Sequence, residues 1–187
     1  EWLVIDDGST DNTVSEAKKA GAHHVVSLAQ HEGLAAAFET GIHSAYSLGA
    51  SVVVNTDADN QYDSRDIQKL TQPILDGIAD LVVGDRHASK LSHLPRWKQF
   101  LYALADGVVS SAVGHRAPDP TSGFRAMNRF VMSDICLQDQ HSYTLETLIQ
   151  AYFTRKRVKF VPVRTHLVQR PSRLITSTPK YVLKTTR

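Results

Sequence analysis

Ser51-Val52-Val53-Val54-Asn55-Thr56-Asp57-Ala58-Asp59 is the stretch that decides the fold. Its first part is short, apolar and β-branched. It follows Gly49 and runs into polar residues, which is the pattern of a buried strand. Asp57 and Asp59 then stand at the strand's C-terminal end. In an open α/β sheet that end faces the crevice where ligands bind. Hard oxygen donors there suit Mg2+ or Mn2+, with phosphate oxygens completing the coordination shell.

Working outward, Trp2-Leu3-Val4-Ile5 reads as a strand, followed by the polar loop 6–12 and a helix from Thr13 to Ala20 that Gly21 stops. Val25 to Leu28 reads as a second strand. A helix from Gly33 or Leu34 to Leu48 puts Leu34, Phe38, Ile42 and Ala45 on one face. After the acidic strand come a helix from Asp66 to Asp76, which Pro73 should disturb, and a buried strand at Leu81–Gly84. This alternation predicts an α/β fold with a mostly parallel sheet and helices on both faces. Residues 86–95 read as a polar loop, 97–113 as a long helix, 119–125 as a turn into a short strand, 142–153 as a helix and 159–163 as a late strand.

The 187 residues fit one domain, and 42% hydrophobic with 21% charged residues is ordinary for a globular chain. A net charge of +2 gives no reason to expect nucleic acid as a partner. From Arg155 onward, however, the chain has no acidic residue. That basic end reads either as a solvated face or as a surface for anionic lipid or a phosphorylated substrate. Cys136 stands alone, which excludes an internal disulfide. No apolar run is long enough to span a bilayer. The chain opens directly on a strand, which predicts an excerpt lacking its first strand.

Asp6-Asp7-Gly8-Ser9 closes the first strand as Asp57-Ala58-Asp59 closes the third, so two acidic strand ends should converge on one crevice. Asp-Gly is also a common turn, and capping of the next helix accounts for part of this pattern. No glycine-rich phosphate cradle follows any strand, which disfavours dehydrogenases and P-loop NTPases.

Four segments, Val4–Thr13, Asn55–Tyr62, Val83–Arg86 and Asp119–Arg125, resemble in order the motifs of family 2 glycosyltransferases with a GT-A, Rossmann-like fold. The dolichol-phosphate mannose synthase-like branch is the most similar. The resemblance implies a single catalytic domain over residues 1–187. It would be an inverting, metal-dependent transferase moving a sugar from a UDP- or GDP-sugar to a polyprenyl phosphate at the cytoplasmic face of a membrane. It implies that Asp6, Asp7 and Asp57 meet the nucleotide, and that Asp57, Asp59 and Gln61 hold Mg2+ or Mn2+. Arg86, Arg96, Ser122, Arg125, Arg170 and Arg173 would gather round the acceptor phosphate, and Asp57, Asp59 and Arg86 would carry catalysis. An ionised phosphate needs cations more than it needs a general base.

The chain departs from the pattern at its missing Pro-x-Tyr-Asn-Glu-like opening strand. At Leu34 many relatives carry a Lys, and at Asp63-Ser64 proline is common. Two alternatives remain at this stage. One is a saccharide acceptor, with Glu146 or Asp119 as base. The other is a non-catalytic nucleotide-binding module.

Overall fold

A computed structural model describes residues 1–87, 96–138 and 143–166. Strand β1 (Leu3–Asp6) leads through helix α1 (Thr13–Lys19) to β2 (His24–Ser27), and α2 (Leu34–Ser47) leads to β3 (Val52–Asn55). A single 3-10 turn (Ser64–Asp66) opens into α3 (Ile67–Leu75), then β4 (Leu81–Asp85), the long α4 (Arg96–Val113), β5 (Arg125–Asn128), the short α5 (Arg129–Met132), α6 (Tyr143–Phe153) and β6 (Val158–Pro162). Pro73 sits inside α3 without ending it. It is buried against the sheet, and its carbonyl receives the Ile78 and Ala79 amides.

Four strands form a sheet in the order β3-β5-β4-β6, and β1 pairs with β2 in a separate parallel ladder. The sheet is mixed: β4 and β6 are parallel, but β5 lies antiparallel between β3 and β4. β3, β4 and β6 therefore run the same way and β5 alone is reversed, so the expected α/β fold with most strands parallel holds, while the two acidic strand ends lie on separate ladders rather than in one sheet. β4, buried on both faces, reads as a continuous apolar run whichever way its neighbour points, so the reversal of β5 left no trace in it.

Period-two alternation splits the core between the faces of the sheet. Leu81, Val83 and Met127 pack with Ala35, Phe38 and Ile42 of α2 and Leu148 of α6. Val82 and Ala126 pack on the other side with Leu70 and Ile74 of α3. All of β4 is buried. Its start is pinned by Asp80, which accepts the Arg157 amide and Nε at 2.9 Å each and the Asn128 amide group at 2.9 Å. These donors, led by Arg157, pull the Asp80 carboxyl down to about 2. One carboxylate thus fixes the starts of β4 and β6 and the end of β5, and so aims the opposite strand ends at one region. No helix among the described residues is long and apolar enough to cross a membrane.

Candidate functional site

Asn55 ends β3 by turning its side chain inward, where it donates to the Gly123 carbonyl at 2.9 Å and to the Tyr143 hydroxyl at 3.1 Å. Those bonds set the point from which the chain leaves the sheet, and Asp57 follows. Its carboxyl is raised above the ordinary range, first by burial and then by the neighbouring Asp59, while Arg86 works in the opposite direction. No hydrogen bond reaches this carboxylate among the described residues. Gly123 lies directly against it: a Cβ there would come within 2.9 Å of Asp57 Oδ2 and 2.8 Å of the Tyr143 hydroxyl. Asp59 Oδ1 accepts the Gln61 amide at 2.9 Å, across Asn60 in the left-handed region (φ 59°). The Gln61 carbonyl accepts the His166 amide at 2.8 Å, tying this loop to the segment after β6.

This donor set fits a divalent cation. Two neighbouring carboxylates repel one another, and the more buried one has no donor to offset its charge. Among the described residues no group of three or more His, Cys, Asp or Glu side chains forms a cage. Asp57 and Asp59, with Gln61 adjacent, are the residues that could hold such an ion, with further oxygens needed to complete its shell.

The two acids after β1 separate in role. Asp6 is buried, its Oδ1 accepts the Ser9 amide at 3.1 Å, and the Ser9 hydroxyl is the main cause of its lowered pKa. This inward turn cap is the reading that holds for Asp6, and it corrects the expected nucleotide contact. Asp7 is partly exposed and bridges to the loop after β2. It accepts the Glu32 amide at 2.8 Å and the Gly33 amide at 3.0 Å, and it lies 2.7 Å from His31 Nδ1. Gly8 makes that approach possible, since a Cβ there would lie 2.5 Å from the Gln30 backbone.

Arg86, just past β4, is clamped. Asp119 Oδ2 accepts its backbone amide at 2.9 Å and Nε at 2.7 Å, and Oδ1 accepts Nη2 at 2.6 Å. Thr121 Oγ1 accepts Nη2 at 3.1 Å. The guanidinium stands near enough for its charge to act on the Asp57 carboxyl, whose pKa it lowers against burial and Asp59.

Arg125 is not at that surface. It is fully buried and donates to the carbonyls of Ser122 (2.7 Å), Thr144 (2.6 Å) and Pro120 (2.6 Å), and burial brings its pKa down to about 10. Ser122 is likewise fully buried, and its hydroxyl has no hydrogen-bond partner among the described residues. Both corrections have one cause: the 119–125 turn folds inward, so these residues brace the site from beneath and are closed to a phosphate. Glu146 accepts the Gln138 amide at 2.7 Å and the Gln150 side chain at 3.3 Å. Arg96 opens α4, but its side chain, together with Arg170 and Arg173, lies outside the described residues. Sequence reasoning missed Asn55, Tyr143 and the use of Asp119. A polar Asn at the end of an otherwise apolar strand was the one available signal.

A family model described as glycosyl transferase family 2 matches residues 1–136. The UDP-N-acetylglucosamine–dolichyl-phosphate N-acetylglucosaminyltransferase of Methanococcus voltae is 28% identical over 184 residues, covering 87% of this chain and 73% of the relative. The polyprenol monophosphomannose synthase of Mycolicibacterium smegmatis is 30% identical over 142 residues, covering 72% and 53%. Among solved structures, glucosyl-3-phosphoglycerate synthase from Mycobacterium tuberculosis, in complex with Mn2+ and UDP-glucose, superposes with a TM-score of 0.71 at 20% identity. That match covers 98% of this chain and 66% of the synthase, so the chain spans only part of its relatives' length. It establishes the fold as that of these transferases.

Proposed function

This chain belongs to glycosyl transferase family 2, and from that premise we propose that it transfers a sugar from a nucleoside-diphosphate sugar to a polyprenyl phosphate. Asp7 receives the nucleotide. Asp57, Asp59 and Gln61 would hold a divalent ion, and Arg86 receives the acceptor phosphate. A phosphate oxygen of the acceptor attacks the anomeric carbon as the bond from that carbon to the nucleoside diphosphate breaks, and the configuration inverts. No proton has to be removed from an ionised phosphate. The ion, when bound, neutralises the departing diphosphate. The protein's own part is to hold two anions in line, with Arg86, its charge already paired with Asp119, directing the acceptor phosphate. A lipid acceptor sets this work at a membrane surface.

One observation carries this reading. The carboxylates that would serve as base toward a sugar hydroxyl are engaged, Asp119 by Arg86 and Glu146 by Gln138 and Gln150, while the Arg86 charge reaches Asp57. Relatives whose names specify dolichyl phosphate or polyprenol acceptors support it. The test is transfer from UDP- and GDP-sugars, with Mn2+, to a short polyprenyl phosphate and in parallel to free saccharides. The expected result is a glycosyl phospholipid product that Arg86→Ala abolishes. Transfer to saccharides alone, insensitive to Arg86→Ala, would overturn the reading.

A further inference from the structure

Arg86 depends on another residue for its aim. We propose that Asp119 is a positioning residue for the acceptor, with Thr121 as its auxiliary: it orients the Arg86 guanidinium so that the acceptor phosphate meets it in line with the donor. The proposal rests on the reading of Arg86 given above and adds residues that reading does not need.

The clamp grips Arg86 at both ends. A single carboxylate oxygen, Oδ2, takes the backbone amide and Nε, while Oδ1 takes Nη2. Fixing the backbone and the head group together fixes the torsions between them, which a surface arginine would leave free. The Asp119 side chain is 1% exposed and that of Arg86 15%, so the pair is nearly dry and its charge-assisted bonds are strong.

Asp119 is itself held. Its backbone adopts a left-handed conformation (φ 52°), ahead of Pro120, and its carbonyl accepts the Ser122 amide at 3.2 Å. Arg125 secures the same turn through the Pro120 and Ser122 carbonyls and ties it to the first turn of α6 through Thr144. A chain of contacts therefore runs from α6 through the turn to one guanidinium.

The geometry also separates Asp119 from a catalytic base, because both of its oxygens face Arg86. The pair carries no net charge, so Arg86 contributes direction more than charge. Loss of Asp119 should therefore weaken acceptor use and leave donor binding alone.

Asp119→Asn is the suitable variant, because Asn tolerates the left-handed backbone. With the sugar donor saturating, the KM for polyprenyl phosphate should rise by about tenfold to a hundredfold, the value of lost hydrogen bonds to a charged group. The donor KM should stay within about twofold, inside the precision of additive behaviour at separate sites. In an Arg86→Ala background the same substitution should add nothing to the loss of kcat/KM. Should Asp119→Asn fail to fold, Thr121→Val decides, with an expected rise of several-fold in acceptor KM alone. A parallel rise in both KM values, or a full Asp119 effect persisting without Arg86, would overturn the proposal. The 15N resonance of Arg86 Nε–H reports the clamp without any acceptor: it should be protected from exchange in the native protein and lose that protection in Asp119→Asn. If the native protein transfers no sugar to polyprenyl phosphate, the functional reading fails while this signal still decides the positioning role. An Nε–H equally protected in both proteins would refute that role.

Discussion

Gly123 shows how tightly single residues are specified here. Its conformation is open to any residue, but the space is not: a methyl group would stand 2.9 Å from Asp57 Oδ2 and 2.8 Å from the Tyr143 hydroxyl. Neither neighbour can retreat easily. Tyr143 is buried, stacks on Phe38 with ring centroids 4.1 Å apart and accepts a hydrogen bond from Asn55. Asp57 is thus the group that must move. Gly123→Ala should cost about 1–3 kcal/mol of stability, as overpacking does. It should also lower kcat by about a hundredfold, as a misplacement of about 1 Å does at a reacting centre. Thermal unfolding and steady-state rates measure the two effects, and a variant with native rates would show that Asp57 has room to shift.

At the scale of elements, the order of the strands and longer helices was legible in the sequence, because hydrophobic periodicity records burial, but the one-turn α5 was not. The pairing direction of β5 was not either, since Arg125-Ala126-Met127-Asn128 is too short to carry a period and β4 beside it is buried on both faces. The acidic pair at 57 and 59 was legible because its place behind a strand needs only local pattern. The inward turn of Arg125 was not, because the carbonyls that accept its bonds include Thr144, far along the chain. Burial of a charge is decided by such distant partners. Asp66 is another case: fully buried, it accepts the Arg164 amide at 2.7 Å and Nη2 at 2.6 Å, and Lys69 lies at 2.9 Å, joining the start of α3 to the segment after β6. Asp66→Asn should cost about 2 kcal/mol, less than a fully buried pair because Arg164 is half exposed. Arg164 holds the Asp66 carboxyl below its usual range, so this stability is complete above pH ~4 and is lost as pH falls further. The gap in Tm between native protein and variant should therefore close in acid. Asp106 on α4 has the opposite sign: burial, then Asp119 and Asp85, push it up to about 6, with Arg86 opposing. The folded state then holds a proton that the unfolded chain releases near pH ~4, so stability declines between pH ~4 and about 6. Asp106→Asn should raise Tm at pH 7.5 and leave it unchanged below pH 4; an equal rise at both would refute the shift.

Across the whole molecule, the acids proposed for the nucleotide and those proposed for the ion stand on different ladders. Asp7 follows β1 in the two-stranded ladder, and Asp57 and Asp59 follow β3 in the four-stranded sheet. No strand pairing joins the ladders among the described residues, and α2 packs on both, with Gly41 against Ile5 of β1, and Phe38 and Ile42 clustered with Leu81 and Val83 of β4 and Met127 of β5. A nucleotide held by Asp7 at one end and by the acidic pair at the other would bridge the two. The acidic pair repels a bare diphosphate, so nucleotide and cation should each bind poorly alone and well together. At a hundred times Kd a ligand adds about 2.7 kcal/mol, and for a domain of this size each kcal/mol is about 2–4 °C of Tm. UDP or GDP with Mn2+ should accordingly raise Tm by about 5–10 °C, and either component alone by about 1 °C or less. Asp59→Ala should abolish the joint shift, because it removes an ion ligand, and Asp7→Ala should reduce it, because it releases the nucleotide from the β1 side. A joint shift that survives Asp59→Ala would mean that the nucleotide binds without the acidic pair, and the division of labour between the ladders would fail with it.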